Sequence, residues 1–165
     1  MNIEAKNITG TIRVIDNKCN ETMKIYHKSL VDGELINGGK LINEFKLYSS
    51  ALVDYCRIKY NDEVADFLQK YINGRVDYLK ETLKAMKKDY AIEKAREKLK
   101  AVLAKEPETA DVLVKSASGD ELIDLMNAWV DARDSFMLTD GSTCINIFYK
   151  KLRSLCDKYN CTTSY

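Results

Sequence analysis

The sequence predicts a mainly α fold, helical bundles arranged around one long central helix. Three observations carry this. Arg75 to Lys105 runs for 31 residues without Pro or Gly and is rich in Ala, Leu, Glu and Lys, the strongest helix formers. Apolar residues recur at helical spacing through most of the chain. The breakers Asn37-Gly38-Gly39, Asn73-Gly74 and Pro107 divide it into helix-sized segments.

Residues 1–18 are the exception. Ile8, Thr9, Thr11, Ile12, Val14 and Ile15 are β-branched and surround Gly10, which favours a short extended or β segment at the N-terminus. Asp16-Asn17-Lys18 reads as a turn. Residues 19–32 fit two patterns. Cys19, Met23, Tyr26 and Leu30 suit a helix ended by Gly33, while Met23, Ile25 and His27 alternate as in a strand.

A helix is expected from about Lys40 to Tyr60, with a seam of Leu41, Phe45, Tyr48, Leu52 and Tyr55 and with Cys56 beside it. A separate helix follows Asn61-Asp62, buries Val64, Phe67, Leu68, Tyr71 and Ile72, and stops at Asn73-Gly74. The long helix 75–105 comes next. Its stripe of Leu79, Leu83, Met86 and Tyr90 lies nearly opposite a second stripe of Ile92, Ala95, Leu99 and Leu103. A helix on one core keeps one apolar face. The change of side therefore predicts a spine shared by two lobes, 1–90 and 91–165. A break at Lys88-Asp89 is the alternative.

Pro107 opens a short helix to about 117, with Ala110, Leu113, Val114 and Ala117 inward. Gly119 is expected to close it and Asp120 to cap the next. That helix should bury Leu122, Leu125, Met126, Trp129 and Phe136, with Trp129 as the largest core residue. Thr139 to Ser142 reads as a loop. A last helix, about 143–160, should bury Ile145, Phe148, Leu152, Leu155 and Tyr159, and Cys161 to Tyr165 should fray. The C-terminal lobe is thus a four-helix bundle that shares the long helix.

Composition excludes little but excludes it firmly. Apolar residues at 45% support a core, and charges at 31% nearly cancel to a net +1, which gives no global attraction to nucleic acid or anionic lipid. No window is apolar enough to span a membrane, and the first residues lack a secretory pattern, so a cytoplasmic protein without membrane partners is expected. The five cysteines, Cys19, Cys56, Cys144, Cys156 and Cys161, form no CxxC, and His27 is the single histidine. Free thiols, no metal and no cofactor are expected.

Two charged stripes are the candidate sites. Lys80, Lys84, Lys87, Lys94, Lys98 and Lys105 share one side of the long helix. They form either a solvated face, with Glu81, Glu93 and Glu97 nearby, or a docking surface for phosphates or an acidic protein. Asp120, Asp124, Asp131 and Asp134, with Asn127, line the outer face of the Trp129 helix, either solvated or facing a basic partner. A helix-turn-helix over Glu63 to Leu83 would need a turn at Gly74. Tyr48, Tyr55, Tyr71, Tyr78 and Tyr90 suit packing or an interface. Catalysis lacks support: no Gly-rich phosphate loop, GxSxG or HExxH occurs, and a Cys–His or Ser–His pair would have to use His27.

The expected function is a non-enzymatic protein–protein interaction module. It would be a small adaptor, inhibitor or regulatory subunit, of the kind phages or mobile elements encode, acting on a larger machine such as a nucleic-acid-processing enzyme. Its partner would be a protein or a protein–nucleic acid complex, and homo-oligomers are compatible. Direct nucleic-acid binding by the lysine stripe is the alternative.

Overall fold

The computed structural model describes residues 2–34, 36–138 and 142–165, with side chains described except at 2–7, 135–138 and 142. The expected loop 139–141 and the side chain of Phe136 lie outside the described residues. The fold is mainly α. Its helices are α1 (Asn2–Val31), α2 (Gly38–Lys59), α3 (Asp62–Val102), α4 (Pro107–Ser116), α5 (Gly119–Leu138) and α6 (Ser142–Lys158). The chain forms two compact units, Met1–Lys87 and Lys88–Tyr165.

The extended N-terminal segment is overturned. Residues 8–18 belong to α1, and 19–31 continue it, so neither strand reading holds. The reason is periodicity. Ile8, Ile12, Ile15, Cys19, Thr22, Tyr26 and Ser29 repeat at four- and three-residue steps and put one face into the core, with Ile15 and Cys19 fully covered. Burial of that face outweighs the few tenths of a kcal/mol per residue that β-branched side chains lose in a helix. Gly33, at φ 73°, ends α1 in a left-handed turn: Glu34 N donates to Ser29 O at 2.9 Å and Gly33 N to Leu30 O at 3.2 Å.

Asn37 caps α2, its Oδ1 accepting from Gly39 N at 2.9 Å. The seam of α2 is rotated from the expected one. Leu41, Ile42, Phe45, Ser49, Val53 and Cys56 are buried, and Tyr48 and Tyr55 face out. Gly38 sits close to its neighbours, since a Cβ there would lie 3.5 Å from Leu83 Cδ1 and 3.6 Å from Tyr26 Cε2. The start of α2 therefore meets α1 and α3 in the first core.

Asn61 caps α3, accepting from Val64 N at 2.8 Å. The expected stop at Asn73-Gly74 does not occur: α3 is one helix from Asp62 to Val102, continuous through Gly74 and through Lys88-Asp89. Glycine costs about 1 kcal/mol in a helix. Burial of Ile72, Val76 and Leu79 on either side outweighs it. α3 feeds Val64, Ala65, Leu68, Ile72, Val76, Leu79 and Leu83 into the first core, and Ala95 and Leu99 into the second. The helix stops at Val102, earlier than expected, so Lys105 lies in the turn before Pro107.

In the second unit the S-x-x-E box is at Ser118 to Glu121. Glu121 N donates to Ser118 Oγ at 3.2 Å, and Ser118 N to Glu121 Oε1 at 3.0 Å. Ser118, not Asp120, caps α5, and Gly119 is the first residue of that helix rather than the closure of α4. Leu122, Leu125, Met126 and Ala128 pack with Phe148, Leu152 and Cys156 of α6. Trp129 is half-buried, because an indole is seldom covered entirely. Phe148, 1% exposed, takes the centre, its ring 5.1 Å from that of Trp129. The tail is not frayed. Thr163 Oγ1, Ser164 N and Ser164 Oγ all donate to the Glu106 carboxylate at 2.7–2.9 Å, and Tyr165 stacks on Tyr149.

Candidate functional site

The residues singled out by charge are placed unequally. In the first unit Lys80, Lys84 and Lys87 are exposed on α3 and make no ion pair among the described residues. In the second unit Lys94 is held by Glu97 at 3.3 Å and lies over the Tyr90 ring. Lys94 and Lys98 line a shallow cleft of about 200 Å³ with Ile123 and Asn127 of α5. The acidic stripe is largely neutralised from within. Asp120 pairs with Lys88 at 3.3 Å, Asp124 with Lys151 of α6 at 2.6 Å, and Asp134 with its neighbour Arg133 at 3.4 Å. Asp131 makes no such pair among the described residues. It borders a small cleft of about 140 Å³ with Asp124, Asn127, Cys144 and Lys151. The helix-turn-helix reading fails, because α3 makes no turn at Gly74.

The strongest surface feature is one that charge patterning misses. The outer face of α2 carries Leu47, 74% exposed, and Ile58, 88% exposed, with Ala51 between them and Tyr48 and Tyr55 along one edge. Positions 47, 51, 54 and 58 fall on one line of a helix, so the exposed carboxylate of Asp54 stands among these apolar groups. A single exposed Leu is ordinary, whereas several exposed apolar and aromatic groups on one helix face make a candidate contact surface. The spacing was available in the sequence, hidden because Ser49 stands in the buried row and a seam drawn through Tyr48 looked complete. Lys59 reaches back over the Tyr55 and Tyr60 rings at 5.4 and 5.5 Å.

Two polar clusters are built for structure. Tyr71 Oη donates to Asp16 Oδ1, and Arg75 Nε lies 3.2 Å from Tyr71 Oη and 3.1 Å from the Asp16 carboxylate. The guanidinium also lies 5.4 Å from both the Tyr71 and Tyr78 ring centres. This ties α1 to α3. Burial pushes the adjacent Cys19 thiol up, with Arg75 countering it, so this sulfur is a poor nucleophile. In the second unit Glu121 accepts from Tyr159 Oη, Ser118 N and Lys158 Nζ. The Tyr159 hydrogen bond foremost, then the Ser118 backbone, holds its carboxyl down at about 2.

That depression sets a pH dependence. A carboxylate whose pKa falls on folding adds stability above its unfolded value, near 4.5, and loses it as pH falls toward about 2. Glu121→Gln is expected to be less stable than the parent at neutral pH, with the gap closing across that window. Urea midpoints at a series of pH values check this, and a gap that stays constant would contradict it.

Among the described residues, no group of His, Cys, Asp and Glu is placed to hold a metal ion, and no helix is long and apolar enough to cross a membrane. No protein-family model, curated protein or solved structure matches the chain.

Proposed function

We propose that the protein is a non-enzymatic interaction module, an adaptor, inhibitor or regulatory subunit that docks on a larger protein or protein–nucleic acid assembly. The observation that carries this reading is the exposed face of α2, Leu47, Ala51 and Ile58 with Asp54 among them and Tyr48 and Tyr55 along one edge. Interface cores favour such aromatic and aliphatic groups. The partner is a protein surface with an apolar groove, and Lys80, Lys84 and Lys87 of the same unit, which make no ion pair among the described residues, favour an acidic one. A cytoplasmic setting fits five free thiols.

Direct nucleic-acid binding is the second reading, favoured by those same three lysines. Asp77 and Glu81 on the same stretch of helix weaken it, because they reduce the local positive potential. The two readings separate in one experiment. Native-host lysate is passed over the parent and over Leu47→Asp/Ile58→Asp, each with unchanged far-UV circular dichroism. A protein retained by the parent, resistant to nuclease and lost from the variant is the expected result, followed by reconstitution from purified components. Retention that nuclease abolishes, with a steep salt dependence removed by charge reversal at Lys80 and Lys84, would overturn it.

A further inference from the structure

α6 ends in a defined turn. Asn160 adopts φ 56°, Tyr159 N donates to Leu155 O at 3.0 Å, and Cys161 N donates to Cys156 O at 3.0 Å. This six-to-one closure folds the chain back, so the residue after the left-handed position packs on the last full turn of the helix. Here those two residues are both cysteines. The closure packs Cys161, half-exposed, against the cluster in which Cys156 is buried. Directly after Cys161 the chain becomes the strap 162–165. It is held on the start of α4 by the Glu106 carboxylate and by Thr109 Oγ1, which donates to Thr162 O.

We infer that Cys156 and Cys161 are a redox-sensitive thiol pair whose oxidation to a disulfide clamps the root of this strap. The geometry assigns the two sulfurs different parts. Cys161 is the one a small peroxide can reach. Its thiolate attacks the peroxide oxygen, the O–O bond breaks, and Cys161 becomes a sulfenic acid as water departs. The Cys156 sulfur then attacks the Cys161 sulfur. The S–O bond breaks, the hydroxyl leaves with the Cys156 proton as a second water, and the S–S bond forms. Two thiols and one hydrogen peroxide give one disulfide and two waters. A low-molecular-weight dithiol reverses the change by exchange and is itself oxidised to a cyclic disulfide. Burial, then the Cys161 contact, pushes the Cys156 thiol up to about 12, so closure of the disulfide is the slow step and Cys161 is the sulfur oxidised first.

The consequence lies in the strap. In the reduced protein Cys161 is held by one backbone hydrogen bond, and the strap beyond it by hydrogen bonds to Glu106 and Thr109. The disulfide adds a covalent tie to α6 at the residue just before the strap, so the strap opens less often in the oxidised form.

The test uses the full chain exposed to hydrogen peroxide at a small molar excess, then alkylated in denaturant and mapped by mass. The parent should take up alkylating agent at three of its five cysteines, with a linked 156–161 peptide. A dithiol should restore all five. Cys161→Ser should form no disulfide and keep four alkylatable thiols, and Cys156→Ser should stop at an oxidised Cys161. Amide exchange at Ser164 should be slower in the oxidised parent than in the reduced one. Oxidation that falls first on Cys144, or that drives Cys161 of the parent to sulfinic acid without a linked peptide, would overturn the pairing. A disulfide that leaves Ser164 exchange unchanged would overturn the clamp.

Discussion

Phe148→Ala is expected to destabilise the second unit by about 3–5 kcal/mol, the cost of deleting a ring from a close-packed site that cannot collapse around the loss. Phe148 is 1% exposed, belongs to the cluster of Leu122, Leu125, Leu152 and Cys156, and contacts the rings of Trp129 and Tyr149 at 5.1 and 5.5 Å. Trp129→Ala should cost less, about 2–3 kcal/mol, because part of the indole already meets water and only the buried part is lost. Asp131→Ala, on the outer face of α5, should stay within about 0.5 kcal/mol. Trp129 is the single tryptophan. Its fluorescence therefore follows this unit alone during urea unfolding of the Phe148 and Asp131 variants. Far-UV circular dichroism follows the Trp129 variant. A larger loss from Trp129→Ala than from Phe148→Ala would place the indole, not the phenyl ring, at the centre of this core.

The helices were legible wherever periodicity and propensity agree, and were misread where the two disagree. α4 and α6 show agreement: Ala110 and Leu113, then Phe148 and Leu152, repeat on one face and are buried. α1 shows the conflict. Gly10 and its β-branched neighbours speak for a strand, but the row from Ile8 to Ser29 has the period of a helix over its whole length. A long period is the stronger witness, because each repeat adds buried area while each β-branched residue costs only tenths of a kcal/mol. Asn73-Gly74 resembles a helix stop for the same local reason. Polar residues inside a buried row caused the other error. Ser49 lies in the α2 core with Thr22 and Ser29 of α1 also buried, and a search for apolar residues alone passes over all three.

The candidate surfaces follow the same logic. Lysine and aspartate rows can be drawn from spacing, but pairing cannot. Nothing in the sequence says that Lys151 of α6 reaches Asp124, or Lys88 Asp120, because those pairs depend on how α3, α5 and α6 pack in the second unit. Exposed pairs of this kind are worth little and cost little to break, so they lower the net charge of the acidic stripe without closing it to a partner. Lys80, Lys84 and Lys87 make no such pair among the described residues.

Gly119→Ala is expected to destabilise the protein by about 1–3 kcal/mol, the range for forcing a methyl group into a packed site. Helix propensity alone says the opposite, since alanine is the better helix former by about 1 kcal/mol. Packing decides the sign. A Cβ on Gly119 would lie 2.7 Å from Ile92 Cγ1 and closer still to its Cδ1, distances that real Cβ atoms do not tolerate. Ile92 is β-branched, so its side chain has few rotamers to retreat to. Gly119 is therefore retained for close approach between α3 and the start of α5. A left-handed backbone is not the reason, as its φ is not positive. Gly74→Ala supplies the contrast. It places the same methyl group on an exposed turn of α3 with nothing within 4 Å, and should stabilise by about 0.5–1 kcal/mol. Ile92→Ala closes the argument: combined with Gly119→Ala it should cost less than the sum of the two single changes, because the truncated side chain makes room for the new methyl. Chemical denaturation of the four variants reads both effects. Additive costs at 92 and 119, or the same sign at 74 and 119, would show that the Ile92–Gly119 contact does not set the price of a side chain at the head of α5.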